Sequence, residues 1–325
     1  MSVTIHDVAR RANVSISTVS RAFTSPDLVR HQTRSRVLAA ASELGYHAVG
    51  TVQPAARTGH IGIVVSDLGN PFFTGVLDGV QARARQDDVA VLFASSDQDP
   101  ATEQNLVRRM ARQVDGVVLG SPSMTDDQLR ALAGQTTLVL LNREVPGIPS
   151  IVMDAADGMR QAIEHLAALG HRRCAYLGGP RMAWANRARR AGLAEAAERH
   201  GTEVVEFGPF PPVFEGGLQG ADLALAADVT AIVAYNDLVA FGALARLNAR
   251  GVPVPDEISL VGFDDLVFAA ISAPPLTTIA MPTEAAGRAA VTILLDLLDG
   301  TADEQTTQVL DTYLIVRATT APPAG

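Results

Sequence analysis

Short, unbroken apolar segments alternate with helix-forming stretches from residue 61 almost to the end of the chain. Continuous apolar strands separated by helices are typical of a parallel β-sheet whose two faces are both covered by helices. The series is interrupted near residues 154–158, so the sequence predicts an α/β core made of two doubly wound parallel-sheet lobes. The segments taken as strands are 61–65, 89–94, 116–119, 138–141, 174–177, 232–234, 258–262 and 309–316.

This architecture predicts where a ligand would bind. In doubly wound sheets the binding crevice lies outside the carboxyl ends of the strands. For two facing lobes, that position is the cleft between them. The loops that follow the predicted strands therefore carry the candidate site residues, and these loops are 66–73, 142–143, 178–189, 235–237 and 263–265.

Residues 4–46 follow a different pattern, which predicts short helices and no strands. Thr4 is placed to cap a first helix and Ser15 to cap a second, with a break between them at Asn13. A third helix is predicted from about Gln32 to Leu44. We expect this helix-turn-helix head to pack around four apolar residues, Val8, Val14, Val19 and Leu38.

The charge distribution also separates this head from the rest of the chain. The first 60 residues contain seven arginines and three carboxylates, whereas all 325 residues together carry a net charge of -9. A basic module attached to an acidic body is typical of a DNA-binding head fused to a domain with another role. On charge alone, an ordinary solvated helical face is the alternative interpretation.

Several classes of protein are excluded by what the sequence lacks. Cys174 is the one cysteine, so the sequence offers neither an intrachain disulfide nor a cysteine zinc site. The N-terminus lacks the apolar segment of a signal peptide, and no apolar run approaches the ~18 residues that span a bilayer. We therefore expect a cytoplasmic, nucleoid-associated protein with no membrane partner.

The sequence also lacks the motifs of the enzyme classes that its fold would suggest. The sequence has neither a phosphate-binding loop nor a dinucleotide fingerprint around Gly178 and Gly179. The adjacent carboxylates Asp264 and Asp265 have no nucleophile or metal cluster in the same motif. We expect no catalytic residue, no cofactor and no metal, and we interpret His171 as a buried, hydrogen-bonded histidine rather than a base.

Residues 4–21 resemble the head of the lactose-repressor/galactose-repressor family of bacterial regulators. The resemblance covers nearly the whole chain, through Leu44-Gly45-Tyr46, Asn70-Pro71-Phe72-Phe73, Val114-Asp115-Gly116, 169–173, Asn236-Asp237, 258–265 and 275–279. It implies a sequence-specific transcriptional regulator, in this family most often a repressor. The expected partners are double-stranded operator DNA, a small-molecule effector such as a sugar, and a second copy of the chain in a homodimer.

The resemblance also implies the domain organisation. We expect the helix-turn-helix head at 1–46 and a hinge at 47–60, followed by a core like the sugar-binding proteins of the periplasm. The first lobe of this core is expected to comprise 61–155 and 284–305. The second lobe is expected to comprise 156–283 and 306–320.

The candidate DNA-binding residues lie on and around the second helix. A recognition helix presents short polar or long basic side chains to base edges in the major groove, and Ile16, Ser17 and Arg21 occupy those positions. Ser17 and Arg21 are four residues apart and share a helix face. The residues that match the family's phosphate-binding positions are Ser15, Thr18, Ser20, Thr33 and Tyr46. Hydroxyls at such positions fix register without reading sequence, and for Ser15 a helix cap is a second, compatible role.

The candidate effector-binding residues follow from the family match. Arg189, Asn236 and Asp264 match positions that grip the effector, as a fork-shaped donor, an amide and a carboxylate acceptor. Of Asp264 and Asp265, we expect only one to point into the cleft. Phe72 and Phe210 match aromatic residues that line the pocket, and Trp184 is a weaker candidate because a lone tryptophan also fits a core or an interface. Ser66, Asn142 and Arg143 end strands that face the same cleft.

The hinge departs from the family pattern. In the family this segment forms a short helix whose leucine wedges into the minor groove. In this chain Ala55 or Ala56 stands at the expected leucine, and Pro54 removes a backbone donor. We expect a weakened wedge, with Val52 as the competing candidate for insertion.

A second class of function remains open from the sequence. The core alone would serve a sugar-binding protein without a DNA role, because the two kinds of protein share the fold. The head at residues 1–46 argues against this alternative.

Overall fold

The computed structural model describes residues 4–24, 29–44, 46, 57–302 and 306–324. The chain divides into two units, Met1–Thr58, which contains the head, and Gly59–Gly325, the core. Most of the predicted hinge, residues 47–56 with Pro54, Ala55 and Ala56, lies outside the described residues. The loss of the leucine wedge therefore stays a prediction.

The described residues of the head form α1 (Ile5–Ala12), α2 (Ile16–Thr24) and α3 (His31–Leu44). At the start of α1, the Asp7 carboxylate accepts hydrogen bonds from the backbone N–H of Thr4 at 2.9 Å and from its hydroxyl at 2.6 Å. The helix ends at Asn13, whose φ of 52° is a left-handed conformation that asparagine tolerates. Ser15 Oγ then accepts the Thr18 N–H at 3.1 Å, which caps α2. The predicted helix-turn-helix is confirmed.

A small apolar core holds these helices together. Val8, Val19 and Val37 are fully buried, and Val14 packs against them. Leu38, which we expected in this core, is instead 39% exposed. The buried face of α3 follows positions 37, 40, 41 and 44 at helical spacing, and Leu38 lies beside that face, toward solvent.

The core contains strands in two groups that are joined by helices. In chain order, the elements are β1 (His60–Val65), α4 (Phe72–Ala84), β2 (Ala90–Ser95), α5 (Pro100–Met110), β3 (Gly116–Gly120), α6 (Asp126–Ala133), β4 (Thr137–Leu141), β5 (Ser150–Met153), α7 (Ala155–Leu169), β6 (Arg173–Leu177), α8 (Trp184–His200), β7 (Glu203–Phe207), α9 (Phe214–Leu225), β8 (Ala231–Ala234), α10 (Asp237–Arg250), β9 (Ser259–Asp264), α11 (Val267–Ile271), β10 (Thr277–Ala280), α12 (Thr283–Asp299), β11 (Thr307–Leu310) and β12 (Tyr313–Ile315).

The two sheets of the core have equivalent strand orders. The described strands of the first sheet lie in the order β11-β5-β4-β3-β1-β2, all parallel, and those of the second lie in the order β12-β10-β9-β8-β6-β7. In the second sheet only β12 pairs antiparallel among the described strands. The central strands β1, β3, β8 and β9 are almost entirely buried because helices cover both faces. The two-lobed, doubly wound core is confirmed.

Within the described residues, the chain crosses between the lobes at three places, after β5, after β10 and after β11. The first crossing falls at the predicted interruption, where Asp154 caps α7 by accepting the Asp157 N–H at 2.9 Å. The last crossing differs from the expected boundary. We placed 306–320 in the second lobe, but Thr307 lies opposite Ser150 in the first sheet.

The segment predicted as one strand at 309–316 is therefore two strands in different sheets. β11 completes the first sheet, where the Asp154 N–H donates to the Leu310 carbonyl at 2.9 Å. Thr312 follows and donates from its hydroxyl to the Asp154 carbonyl, also at 2.9 Å. These bonds at Asp154 hold two of the crossing segments side by side, so the lobe boundary lies after Leu310.

Candidate functional site

A cavity of about 300 Å³ lies where the carboxyl ends of the strands in both lobes meet. Every loop predicted to carry site residues contributes to its lining, as the topology of the two sheets requires. The loops after β2, β3 and β7 contribute as well, and none of these is among the loops predicted from the strand pattern. The lining residues are Ser66, Asp67, Asn70, Phe72, Phe73, Gln98, Pro100, Ser121, Pro122, Ser123, Asn142, Pro180, Met182, Ala183, Trp184, Ala185, Arg189, Pro212, Tyr235, Asn236 and Asp264.

Arg189 is a buried cation at the inner end of this cavity. The residue is 3% exposed, and its guanidinium carbon lies 4.3 Å from the ring centroid of Tyr235 and 4.0 Å from that of Phe263. Two aromatic rings therefore hold the charge by cation–π contact. Its Nη2 donates to Asp264 Oδ1 across 3.4 Å, and its Nε has no hydrogen-bond partner among the described residues. A buried donor without a partner is costly, so a ligand acceptor in the cavity would stabilise this side chain.

Of the adjacent aspartates 264 and 265, Asp264 lines the cavity. Burial raises the pKa of its carboxyl well above the ordinary value, while Arg189 lowers that pKa and Asp237 raises it. The neighbouring Asp265 instead accepts a hydrogen bond from Arg317 Nη2 at 2.7 Å. The expectation that one of the two aspartates would point into the cleft matches this arrangement.

Backbone strain is concentrated at the cavity wall. Gln98, Ser121, Asn142 and Asp264 all line the cavity, and their φ angles are 61°, 49°, 57° and 120°. Residues other than glycine rarely adopt positive φ, and holding them there costs on the order of 1–3 kcal/mol each. Such strain clusters at binding and catalytic sites, which favours this cavity as the functional site.

Asn142 presents a second unpaired polar atom. Its Nδ2 donates to Ser121 Oγ at 3.1 Å, but its buried Oδ1 accepts no hydrogen bond from a described residue. Ser66 lines the same wall, and its carbonyl accepts the Gln98 N–H at 2.8 Å. Asn142 in the first lobe and Arg189 in the second lobe thus each bring an unpartnered polar atom to the cavity wall.

Asn236 lines the cavity, yet its side chain already has structural partners. Its Oδ1 accepts the Val239 N–H at 3.0 Å and caps α10, and its Nδ2 donates to the Pro212 carbonyl at 3.1 Å. The next residue, Asp237, accepts from the Thr278 hydroxyl at 2.6 Å and from the Leu266 N–H at 2.8 Å. This pair anchors the loop after β8, and one amide proton of Asn236 is left for a ligand.

Aromatic side chains cover the cavity, though not all of those expected. Phe72 and Phe73 line it as an edge-to-face pair with ring centroids 5.1 Å apart. Phe210, predicted for the pocket, is buried in the core of the second lobe and is absent from the described residues that line the cavity. It follows the carboxyl end of β7, an edge strand, and its ring packs inward among apolar side chains. Trp184 and Tyr235 line the cavity in its place.

Tyr235 could have been found from the sequence, because it directly follows a buried strand in one of the loops singled out. The sequence could not show that its ring would stack on Arg189. Trp184 begins α8, five residues before Arg189, which places both on the helix that enters the cavity. Trp184 is a weaker candidate from the sequence because it is the lone tryptophan. Its position on α8, the helix that carries Arg189, is stronger evidence for a place in the cavity wall.

Arg143 was considered for the same cleft and lies behind its wall. It is 5% exposed and donates to the Pro122 carbonyl at 3.1 Å and to Asp126 at 2.6 Å. Beside it, one oxygen of Glu103 accepts the backbone N–H groups of Ser123 at 2.9 Å and Met124 at 3.1 Å. Together these two side chains fix the loop after β3, which forms part of the cavity wall.

Burial raises the pKa of the Glu103 carboxyl from 4.5 to about 7, against the two backbone donors and the charge of Arg143. Between these two pH values the folded chain retains a proton that the unfolded chain has released. The contribution of Glu103 to stability is therefore present below pH 4.5 and is lost as the pH rises toward 7. A shift of this size corresponds to roughly 3 kcal/mol.

Glu103→Gln keeps an oxygen that can accept both N–H groups and cannot ionise. We expect its free energy of unfolding to match that of the wild type near pH 4 and to exceed it by about 3 kcal/mol at pH 8. Urea unfolding of both proteins at the two pH values measures this difference. A difference that is the same at both pH values would contradict the assignment.

His171 is a structural residue, as expected. It is 1% exposed, and its ring nitrogens lie 2.8 Å from the Thr230 hydroxyl, 3.1 Å from the Ser259 hydroxyl and 2.9 Å from the Ala321 carbonyl. Burial lowers its pKa below the ordinary value. In the part of the chain that the structure describes, no cluster of histidine, cysteine or carboxylate side chains could hold a metal ion, and no helix is long and apolar enough to cross a membrane.

The head presents a hydroxyl cluster at the start of α2. Ser15 Oγ lies 2.8 Å from Ser17 Oγ and 2.7 Å from Thr18 Oγ1. Ile16, at 42% exposure, and Arg21 lie on the surface of the same helix. This surface combines short polar groups with a long basic one, as base and phosphate recognition requires.

The remaining candidate phosphate-binding residues are more dispersed. Ser20 is exposed on α2, and Thr33 is half-buried in the first turn of α3. Tyr46 is half-buried and packs against the apolar core of the head, and its N–H donates to the Ala41 carbonyl at 2.9 Å. Tyr46 therefore has a packing role as well as its predicted one.

Two family models match this chain. Residues 4–48 match bacterial regulatory proteins of the lacI family, and residues 163–320 match the periplasmic binding protein-like domain. The chain is 33% identical to the HTH-type transcriptional regulator GalS of Salmonella typhimurium, covering 98% of this chain and 97% of that protein. Head and core thus occur together in a relative that regulates transcription.

Solved structures agree with this match. A complex of the transcriptional regulator CelR with cellobiose has a TM-score of 0.74 and 32% identity, covering 98% of this chain and 99% of that one. A lac repressor dimer bound to operator and the anti-inducer ONPF has a TM-score of 0.75 and 29% identity, covering 99% and 100%. Such proteins are regulators rather than enzymes, and nothing in these matches supports a sugar-binding protein without a DNA role. The chain belongs to the lacI family of bacterial regulatory proteins.

Proposed function

We propose that this chain binds operator DNA as a homodimer, with one head on each half-site, and that a sugar or sugar derivative in the core cavity controls this binding. The observation that carries the proposal is the pair of unpartnered buried atoms in the cavity, Arg189 Nε and Asn142 Oδ1. The residues that carry these atoms, Arg189 and Asn142, line the same cavity from opposite lobes. A ligand that bridges them would be bound by both lobes at once.

The cavity favours a neutral, hydroxyl-rich effector. Arg189 already has Asp264 as a hydrogen-bond partner, so an anionic ligand would gain less from this cation. Sugar hydroxyls donate and accept, and can therefore satisfy a free donor and a free acceptor together. The rings of Phe72, Trp184 and Tyr235 provide aromatic surface for an apolar sugar face. The cellobiose complex of the related regulator CelR supports this class of ligand.

The DNA side of the proposal rests on α2. Arg21 would contact guanine through its two-pronged guanidinium, and Ile16 and Ser17 would meet neighbouring base edges. Ser15, Thr18, Ser20, Thr33 and Tyr46 would hold phosphates and fix the register. A two-fold homodimer would then require a pseudo-palindromic operator.

We assign the chain as a head at 1–46, a hinge at 47–60 and two lobes joined by three crossings. Ligand binding between the lobes would favour one lobe arrangement and so alter the geometry at the hinge. The chain would act by binding alone, without a catalytic step, a cofactor or a metal, at the nucleoid in the cytoplasm. The similar structure of the lac repressor dimer bound to operator supports the homodimer.

A thermal-shift screen of the full chain against neutral sugars, glycosides and nucleosides tests the effector class. A ligand present at 100 times its Kd stabilises the folded state by about 2.7 kcal/mol. We expect at least one neutral sugar or glycoside to raise the melting temperature. A response confined to anionic metabolites would contradict the proposal.

A further inference from the structure

Three arginines at the end of α5 differ from the other helix-terminal arginines of the core. Arg108, Arg109 and Arg112 have exposed side chains and form no ion pair or side-chain hydrogen bond with any described residue. By contrast, Arg130 in the last turn of α6 pairs with Asp127 at 3.1 Å, and Arg199 in the last turn of α8 pairs with Glu195 at 2.7 Å. We name Arg108, Arg109 and Arg112 the α5 cluster.

The α5 cluster precedes the amino-terminal end of β3, which lies beside the start of β1, where the chain enters the core. α5 leads into β3, and just before that strand the Asp115 N–H donates to the His60 carbonyl at 2.8 Å. The Asp115 carboxylate in turn accepts the Gly59 N–H at 3.0 Å. Arg112 is three residues from Asp115, a span of at most about 11 Å. Arg112, at the end of the cluster, is therefore close to Gly59, the first residue after the unit that contains the head.

A helix dipole explains only part of this arrangement. Cations at a helix C-terminus are favourable, but the same effect operates at α8, where Arg199 also has a carboxylate partner. The chain carries an excess of carboxylates, with a net charge of -9. Near the cluster, the carboxylate of Asp115 accepts the Gly59 N–H. Three guanidinium groups without carboxylate partners form a local basic surface on an acidic protein.

Phosphate oxygens are the groups that such a surface fits. Guanidinium is permanently charged, weakly hydrated and matched to phosphate geometry, and contacts to the DNA backbone require no base specificity. We propose that the α5 cluster binds backbone phosphates of the DNA that flanks the half-site held by the head. This inference rests on the proposed DNA-binding function and adds a second, sequence-independent contact made by the core.

Salt dependence of operator binding tests this contact. Each phosphate contact contributes about 0.9 to the slope of log K against log salt concentration. The full-length variant R108A/R109A/R112A should therefore have a slope shallower by about 2.7 per protomer. Raising the salt concentration from about 50 to 200 mM lowers the DNA affinity of both proteins. For the loss of three phosphate contacts, the factor by which the affinity falls should be about 40 times smaller for the variant than for the wild type. On DNA trimmed to the two half-sites, variant and wild type should have the same slope.

Arg199→Ala is the matched control, because it removes a helix-terminal arginine from the second lobe. We expect its slope to equal that of the wild type, and the melting temperature of the triple variant to be unchanged because the cluster is exposed. An unaltered slope for the triple variant on long DNA would overturn the inference. A wild type that binds operator and scrambled DNA equally would instead overturn the proposed function, so the two failures are distinguishable.

Discussion

Replacing Arg189 by alanine is expected to weaken effector binding strongly while the head retains its affinity for operator. The change removes the free Nε donor and the cation held between Tyr235 and Phe263, and it leaves the buried Asp264 carboxyl without its partner. Truncating one member of a buried charged pair costs about 2–5 kcal/mol in binding. The Kd should rise by a factor of about 30 to 4,000, and calorimetric titration with the effector found by thermal shift measures it.

The neighbouring Arg190 provides the control. It has the same charge and lies on the same helix, but its side chain is exposed and pairs with Glu206 at 2.7 Å. We expect Arg190→Ala to leave the effector Kd unchanged. Arg189→Lys should recover little affinity, because an ammonium keeps the charge and loses the planar fork. If Arg189→Ala retained wild-type affinity, the effector site would have to lie elsewhere.

Replacing Arg21 by alanine should remove sequence preference at one base pair of each half-site. A bidentate contact between arginine and guanine contributes about 1–3 kcal/mol of discrimination. The variant should therefore bind its operator about 5 to 150 times more weakly per half-site, and substitutions at that base pair should no longer affect it. Competition binding against operators carrying single base changes measures both effects.

Arg10→Ala removes the same charge from α1, where Arg10 forms an ion pair with Asp7. We expect it to change affinity for all sequences alike and to leave the base preferences intact. If the base preferences of Arg21→Ala also stayed intact, with affinity lowered uniformly, Arg21 would be a phosphate contact. The assignment of α2 as the reading helix would then depend on Ile16 and Ser17.

The fold could be predicted wherever burial leaves a continuous apolar signal. The central strands β1, β3, β4, β8 and β9 were found because both of their faces are buried. The edge strand β7 was missed because the exposed Glu203 and Glu206 interrupt its apolar residues. β5 and β10 were missed because each is only four residues long. β11 and β12 were predicted as a single strand, because they are distinguished only by pairing in different sheets.

The position of the site could be predicted from the sequence, but the hydrogen-bonding state of its polar side chains could not. Topology placed the cavity at the strand ends, and six of the seven residues chosen for effector binding line it, Phe210 being the exception. The sequence could not show which polar atoms would lack partners. Asn236 is largely occupied by its cap and by Pro212, whereas Arg189 and Asn142 keep free atoms. These differences arise from tertiary contacts between loops that are distant in the sequence.

The central claim is that one chain couples a ligand in the core cavity to the DNA affinity of its head. The most direct measurement is the affinity of the full-length protein for its selected operator and for scrambled DNA of equal length, each with and without saturating effector, at one salt concentration. We expect the protein to prefer operator over scrambled DNA, and its operator affinity to change by about 5- to 150-fold on adding effector, which is the usual range of such coupling. Arg189→Ala should keep the preference and lose the change. Operator affinity that is the same with and without a bound effector would contradict the account.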